Sequence, residues 1–172
     1  MTTDVPPVLV EGRLIGIAGR AARRQPMTTF AEGMITAGAG LDGDHKGAKF
    51  PNRGITLLAE EDWAAAIAEL ADLAGPVPMP WTARRANLLV EGLRLPRARG
   101  AVIALGAVVV EVTAQTYPCR RMDEAHPGLL KALARDWRGG VTCRVVTGGL
   151  VRIGDAVRVV SSPTERTVRL PG

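Results

Sequence analysis

Short apolar runs rich in valine, leucine and isoleucine recur along the chain, separated by segments that contain glycine and proline. Runs of four to eight such residues, bounded by turn residues, are typical of β-strands. Arginines alternate with apolar residues near the end of the chain, with two Gly-containing turns between the runs, which predicts consecutive hairpins there. The predicted strands lie at 8–18, 54–58, 87–90, 101–105, 107–113 and, as those hairpins, within 141–160.

Two segments instead show helical spacing of apolar residues. Trp63, Ile67, Leu70 and Leu73 recur every three or four positions after an acidic start, and Gly75-Pro76 ends the segment. A second helix is predicted around 129–137. Because these helices do not alternate with strands, the pattern predicts an α+β, mainly β domain that resembles a barrel and not a parallel α/β sheet.

The length of 172 residues fits one domain, which we place at 1–172, with a core at about 10–160 and a tail at 161–172. The composition is 47% hydrophobic and 23% charged, which is typical of a globular chain. No signal peptide and no apolar stretch of about 20 residues is visible, so we expect a cytoplasmic protein that does not cross a membrane.

The net charge of +5 favours an anionic partner. Nucleic acid receives little support, because aromatic residues, which stack on bases, make up only 3% of the chain and Tyr117 is its one tyrosine. A small molecule that carries a phosphate fits the composition at least as well.

Cys119 is the sharpest candidate for chemistry. It follows Pro118 at the end of a predicted strand and precedes Arg120 and Arg121, and neighbouring cations favour the reactive thiolate form. Cys143 lies in an alternating run, on the face opposite the following arginine, which predicts a core position. A disulfide between the two cysteines stays open from the residues alone, although a reducing compartment disfavours it.

The segment 34–52 is dense in glycine and predicts a long loop of the kind that often carries function. Within it, Asp44, His45 and Lys46 stand between two glycines. Backbone N–H groups and Lys46 could approach an anion there, and His45 could move a proton. The alternative is a solvated turn in which Asp44 caps its own backbone.

Arginines that flank the predicted strands are candidates for binding phosphate or carboxylate, because the guanidinium fork matches both. The alternative for each of them is ordinary solvated surface. These candidates are Arg53, Arg84 and Arg85, together with Asn87. A zinc site is a further hypothesis, although its spacings match no familiar zinc signature; it would use His45, Cys119, His126 and Cys143.

Seven segments, taken in order, resemble a MOSC domain, the module at the C-terminal end of molybdenum cofactor sulfurases. Together they extend over roughly 10–160. They are GLDGDHKG (40–47), RGITLL (53–58), RANLLVEGL (85–93), the glycine and valine-threonine of 106–113, PC (118–119), RGGV (138–141) and GGLVRIGD (148–155).

The resemblance implies a MOSC-type β-barrel, of the kind found in the pyruvate kinase barrel, and a role for Cys119 as persulfide carrier or molybdenum ligand. It also implies that Asp44 and His45 act beside Cys119. The anionic molybdopterin would be held by Lys46, Arg53, Arg85, Asn87, Arg120 and Arg121. The chain has no room for the pyridoxal-phosphate-dependent desulfurase domain of the sulfurases, so a separate sulfur donor, a cysteine desulfurase, is expected.

Three functions remain open at this point. The first is a protein that handles sulfur or the molybdenum cofactor, serving a separate molybdoenzyme. The second is a molybdenum-dependent reductase of N-hydroxylated substrates, and the third is a non-enzymatic module for anions or nucleic acid. The residues do not decide between the first two and give little support to the third. The oligomeric state also stays open.

Overall fold

The computed structural model describes residues 10–76 and 78–165, and in them β-strands dominate. The strands are β1 (Glu11–Gly19), β2 (Thr28–Thr29), β3 (Glu32–Thr36), β4 (Gly40–Leu41), β5 (Ile55–Ala59), β6 (Leu88–Glu91), β7 (Val102–Leu105), β8 (Val108–Gln115), β9 (Val141–Thr147), β10 (Gly149–Arg152) and β11 (Ala156–Ser161). The helices are α1 (Lys46–Lys49), α2 (Glu60–Ala74), α3 (Arg120–Ala125) and α4 (Leu129–Ala134), with 3₁₀ helices at Pro51–Arg53 and Trp81–Arg84.

Seven of the strands described here close into a barrel in the order β1-β11-β7-β8-β9-β5-β6, and β6 pairs again with β1. The β5–β6 pair is parallel, and the other neighbours in the barrel are antiparallel. Closure leaves these seven strands with no free sheet edge. The predicted mainly β barrel domain with few helices is therefore confirmed.

The barrel interior is filled by aliphatic side chains, in keeping with the low aromatic content. On β8, Val108, Val110 and Val112 point inward and are fully buried, while Glu111 and Thr113 on the other face are only partly buried. This alternation is what a half-buried strand requires. Burying each such side chain stabilises the fold by about 1.5–3 kcal/mol.

A second apolar layer lies between the outside of the barrel and the helices. Trp63 and Leu70 of α2 pack with Leu129 and Leu133 of α4 and with Met122 of α3. The predicted helix over this segment is confirmed, since α2 begins in the acidic stretch and Gly75 is its C-cap.

Leu73 shares the helical spacing of these residues but is not part of the buried layer, since its side chain is 80% exposed.

Several local predictions are corrected by the structure. The segment 34–52 is not one long loop, because it contains most of β3, together with β4, α1 and part of a 3₁₀ helix. The polar stretch after Cys119, which its composition predicts as a loop, forms helix α3, and the helix predicted at 129–137 ends at Ala134. Residues 8–9 of the first predicted strand and 166–172 of the predicted tail lie outside the described residues.

The hairpins predicted within 141–160 are also wrong. Strand β10 pairs with β3 in a separate three-stranded sheet, and β11 pairs with β7 and β1. The consecutive strands β9, β10 and β11 thus pair with strands from elsewhere in the chain instead of pairing with each other. In the two described ranges, no helix has both the length and the apolar character needed to cross a membrane.

Candidate functional site

A pocket of about 230 Å³ lies where the segment after β1 meets the start of β5, the 3₁₀ helix Trp81–Arg84 and the start of α3. We call it the Cys119 pocket. Its lining comprises Arg20, Arg23, Lys46, Thr56, Arg84, Arg85, Ala86, Thr116, Tyr117, Cys119, Arg121, Met122 and Gly139. The pocket is therefore assembled from residues of both halves of the chain.

Cys119 is presented to this pocket by helix α3. It is the N-cap residue of α3, has extended backbone (φ −112°, ψ 176°), and carries an exposed free thiol. Its carbonyl accepts a hydrogen bond from the N–H of Met122, whose buried side chain fixes the helix on the second apolar layer. The thiol thus lies at the solvent-accessible start of a helix that is packed against the second apolar layer.

Cys143 is the opposite case, as its position in an alternating strand predicted. It is fully buried in the barrel core, and burial raises the pKa of its thiol. Both cysteines are free, so they do not form a disulfide.

The lining of the Cys119 pocket is strongly cationic. Six of its residues are Arg or Lys, and none of the lining residues in the described chain is Asp or Glu. Burial, followed by the nearby charge of Arg20, lowers the pKa of Lys46. Burial also lowers the pKa of Arg20. Positive charges are therefore crowded and partly desolvated here, an arrangement that an anionic ligand would relieve.

Arg84 is the most deeply buried of these cations, with only 6% of its surface exposed. Its Nε donates to the carbonyl of Gly139 and its Nη2 to the carbonyl of Thr116, both at 3.0 Å. Burial lowers its pKa to about 10. A buried charge is costly unless it is paired, and both of these hydrogen-bond partners are neutral carbonyls. The arrangement favours an anion at the guanidinium.

Two further polar atoms of the lining have no partner among the described residues. They are Nε of Arg85 and Oγ1 of Thr116, and both are buried. Arg85 also has left-handed backbone (φ 68°), and its Nη2 donates to the carbonyl of Gln25 at 2.8 Å. Buried polar groups in proteins are almost always hydrogen-bonded. The donor set therefore fits the phosphate-bearing cofactor that the family resemblance implies.

Asn87 and Asp44 lie behind the pocket wall, in a hydrogen-bond network. Oδ1 of Asn87 accepts from N–H and Oγ1 of Thr56, both at 3.0 Å, and its Nδ2 donates to the Ala18 carbonyl and to Oδ2 of Asp44, both at 3.2 Å. Oδ1 of Asp44 accepts from the N–H of Arg20 at 3.1 Å. The network fixes the backbone of Arg20, while the amide of Asn87 is fully occupied.

Five of the predicted site residues meet in the Cys119 pocket: Cys119, Lys46, Arg84, Arg85 and Arg121. Asp44 and Asn87 support it from behind. His45 is not in the lining; its N–H donates to the Arg20 carbonyl, and its buried Nδ1 has no partner in the described chain.

The remaining candidates lie elsewhere. Arg53 lines a different cavity, of about 450 Å³, together with Arg99. Arg120 is exposed and is not part of the pocket lining. Among the described residues, no group of three His, Cys, Asp or Glu side chains is arranged to hold a metal ion, which speaks against the zinc hypothesis.

Sequence reasoning did not assign site roles to Arg20, Arg23, Thr56 and Thr116. The basic cluster at 20–24 was a visible signal for the two arginines. Nothing comparable marked the threonines, because their place in the pocket depends on the barrel closing around them.

The family model "MOSC domain" matches residues 42–158. No curated protein matches the chain. Among solved structures, the YuaD protein from Bacillus subtilis has a TM-score of 0.69 at 20% identity, covering 87% of this chain and 95% of that one.

Two further structures share the fold at similar identity. YiiM from Geobacillus stearothermophilus has a TM-score of 0.67 at 18% identity, over 87% of this chain and 75% of that one. YiiM from Escherichia coli has a TM-score of 0.61 at 21% identity, over 91% and 73%.

Proposed function

The chain belongs to the MOSC domain family, and on that premise we propose that it binds a phosphate-bearing molybdopterin cofactor in the Cys119 pocket. The sulfur of Cys119 serves there as a persulfide carrier or as a ligand to molybdenum. The observation that carries the proposal is an exposed free thiol in a pocket lined by six cations and, among its described lining residues, no carboxylate.

The cations would hold the anionic part of the ligand. Arg84 and Arg85 can each offer a guanidinium N–H fork to a phosphoryl group, and Lys46 adds a compact positive charge. Oγ1 of Thr116 supplies a hydrogen-bonding group that is otherwise unused within the described residues. When bound, the cofactor supplies molybdenum and its redox chemistry. The residues of the chain bind it, orient it and keep its phosphate desolvated.

The persulfide role requires one sulfur transfer, which a separate donor such as a cysteine desulfurase would supply. The Cys119 thiolate attacks the outer sulfur of the donor persulfide, a new S–S bond forms at Cys119, and the donor leaves as its thiolate. Cys119 then carries the added sulfur. Cys143 cannot substitute for it, because its thiol is fully buried.

Mass spectrometry of the intact chain after incubation with a persulfide donor tests this role. We expect the wild type and Cys143→Ala to gain about 32 Da, the mass of the one sulfur atom that a cysteine persulfide adds. Cys119→Ser should gain none. Equal loading of Cys119→Ser would contradict the carrier role.

Metal analysis distinguishes the ligand role from the carrier role. The chain and Cys119→Ser are purified from a host that synthesises the molybdenum cofactor. Molybdenum retained by the wild type and lost from the variant supports Cys119 as ligand. Molybdenum retained equally by both proteins contradicts that role.

A further inference from the structure

A second, larger cavity adjoins the Cys119 pocket. Its volume is about 620 Å³, and it is lined by Arg24, Ala83, Arg85, Arg121, Met122, Glu124 and Ala125. We call it the outer cavity. Arg85, Arg121 and Met122 line both spaces. Two guanidinium groups therefore form part of the wall of each cavity.

The size of the Cys119 pocket limits what it can enclose. Sites for small molecules and cofactors typically measure about 300–1,000 Å³, and this pocket measures about 230 Å³. It can hold one phosphoryl group beside the thiol, but the rest of a cofactor-sized ligand must extend beyond it. The outer cavity is the adjoining space that shares its wall.

The outer cavity carries its own surplus of positive charge. Its lining contains three arginines and one carboxylate, Glu124. Among the described residues, the Glu124 carboxylate makes no ion pair, and neither does Arg24. The charge of Arg24 is therefore not consumed by the fold and can act on a ligand.

The backbone at this cavity is unusual. Arg24 and Arg85 have φ angles of 67° and 68°, in the left-handed region that L side chains seldom occupy. Such conformations are strained, and they concentrate at binding sites. The hydrogen bond from Arg85 to the Gln25 carbonyl ties the loop that carries Arg24 to the shared wall. Two strained arginines thus border one space.

We propose that the outer cavity is a second anion subsite, so that the whole site selects a ligand with two linked phosphoryl groups over one with a single phosphate. The first phosphoryl group lies beside Lys46 and Arg84, and the second lies beside Arg24. Arg85 and Arg121, which line both cavities, contact the bridge between them. The inference rests on the proposed function only in taking the Cys119 pocket as the first anion site.

Calorimetric titration with inorganic phosphate and inorganic pyrophosphate, at one fixed ionic strength, tests the proposal. We expect the wild type to bind pyrophosphate at least roughly tenfold more tightly, the size of effect that one added charge-assisted contact gives. Arg24→Gln should remove most of that preference while leaving phosphate affinity within about twofold, because only the second subsite is changed.

Two variants make the comparison specific. Lys46→Gln should weaken the binding of both anions, because Lys46 lines only the inner pocket. Arg158→Gln removes the same unit of charge from an exposed position on β11, and it should change neither affinity strongly. Equal losses in Arg24→Gln and Arg158→Gln would show a general charge effect and overturn the second subsite. Equal affinity of the wild type for both anions would overturn it too.

Cys119→Ser separates this proposal from the proposed function. The variant should keep the preference for pyrophosphate, because the thiol lies outside the set of anion donors. A wild type that loads sulfur on Cys119 but shows no pyrophosphate preference would overturn the second subsite alone. A pyrophosphate preference without sulfur loading or molybdenum would overturn the proposed role of Cys119 alone.

Discussion

The two thiols of the chain differ in accessibility because the barrel encloses one and α3 presents the other. Cys119 is exposed, and Cys143 is fully buried between strands. We expect iodoacetamide to label the native wild type once and native Cys119→Ser not at all, with a second label on the wild type only after unfolding. Peptide mapping identifies the labelled residue. Labelling of native Cys143 would contradict the buried assignment.

Burial of Cys143 also predicts a pH dependence of stability. Because burial raises the pKa of its thiol, the folded state keeps the proton while the unfolded state loses it above the ordinary value of 9.0. The stabilising contribution is therefore complete below that pH and is lost as the pH rises. The free energy of unfolding of the wild type relative to Cys143→Ala should fall by about 1.4 kcal/mol per pH unit above it. Urea denaturation measures both proteins at each pH. A difference in the free energy of unfolding between the wild type and Cys143→Ala that stays constant from pH 7 to pH 10 would contradict this.

Asn87 is predicted to position the site and not to contact the ligand. Replacing it with Ala leaves the buried groups of Thr56 and Ala18 without its amide, so we expect a loss of about 2–4 kcal/mol in the free energy of unfolding. Phosphate affinity should fall as well, because the backbone of Arg20 is no longer fixed through Asp44. The exposed Asn52→Ala is the control. Urea denaturation and calorimetry of both variants check it.

The sequence predicted which kinds of residue form the site, but it did not predict which of them face the pocket and which support it from behind. A reactive thiol beside cations was expected, and the structure gathers Cys119, Lys46, Arg84, Arg85 and Arg121 in one pocket. The amide of Asn87, however, is occupied by residues 31 and 69 positions away. Whether an amide faces a ligand or a strand depends on such distant partners, which no local pattern contains.

At the level of elements, the short helix α1 is positioned by close contact between glycines. A Cβ on Gly47 would collide with the Ala39 carbonyl beside β4. We expect Gly47→Ala to lower the free energy of unfolding by about 1–3 kcal/mol and to weaken phosphate binding by displacing Lys46, the first residue of α1. Gly38→Ala meets no atom within 4 Å and should do neither. Equal behaviour of the two variants would contradict the role given to α1.

Elements were predictable where the local pattern is strong and failed where pairing is long-range. The helix α2 and the strands β5, β6, β7 and β8 follow from periodicity and turn residues. The pairing of β10 did not, because its partner β3 lies more than a hundred residues earlier in the chain. A Gly-Gly turn permits a hairpin but does not require one. Which strand β10 pairs with is therefore decided by tertiary packing and not by the local sequence.

Across the whole molecule, charge is unevenly distributed between the two ends of β1. The end at Gly19 leads into the cationic pocket, whereas Glu11 at the other end borders a cavity of about 530 Å³ together with Glu61 and Glu91. A strand of this length spans about 26 Å. Burial and the charges of Glu61 and Glu91 raise the pKa of Glu60 beside this cavity. Among the described residues, the cavity at the Gly19 end of β1 is therefore cationic, and the charged residues that line the cavity at the Glu11 end are mainly carboxylates.

This polarity predicts how the chain meets a polyanion. On a heparin column, we expect Arg23→Gln/Arg24→Gln to elute at clearly lower salt than the wild type, since both arginines border the cationic cavities. Arg13→Gln/Arg158→Gln removes the same charge near Glu11, where the neighbouring carboxylates make the local potential negative. This double variant should elute close to the wild type. Electrostatic attraction follows local potential and not net charge alone. Equal shifts in both double variants would mean that net charge governs binding and that the molecule has no preferred anion-binding end.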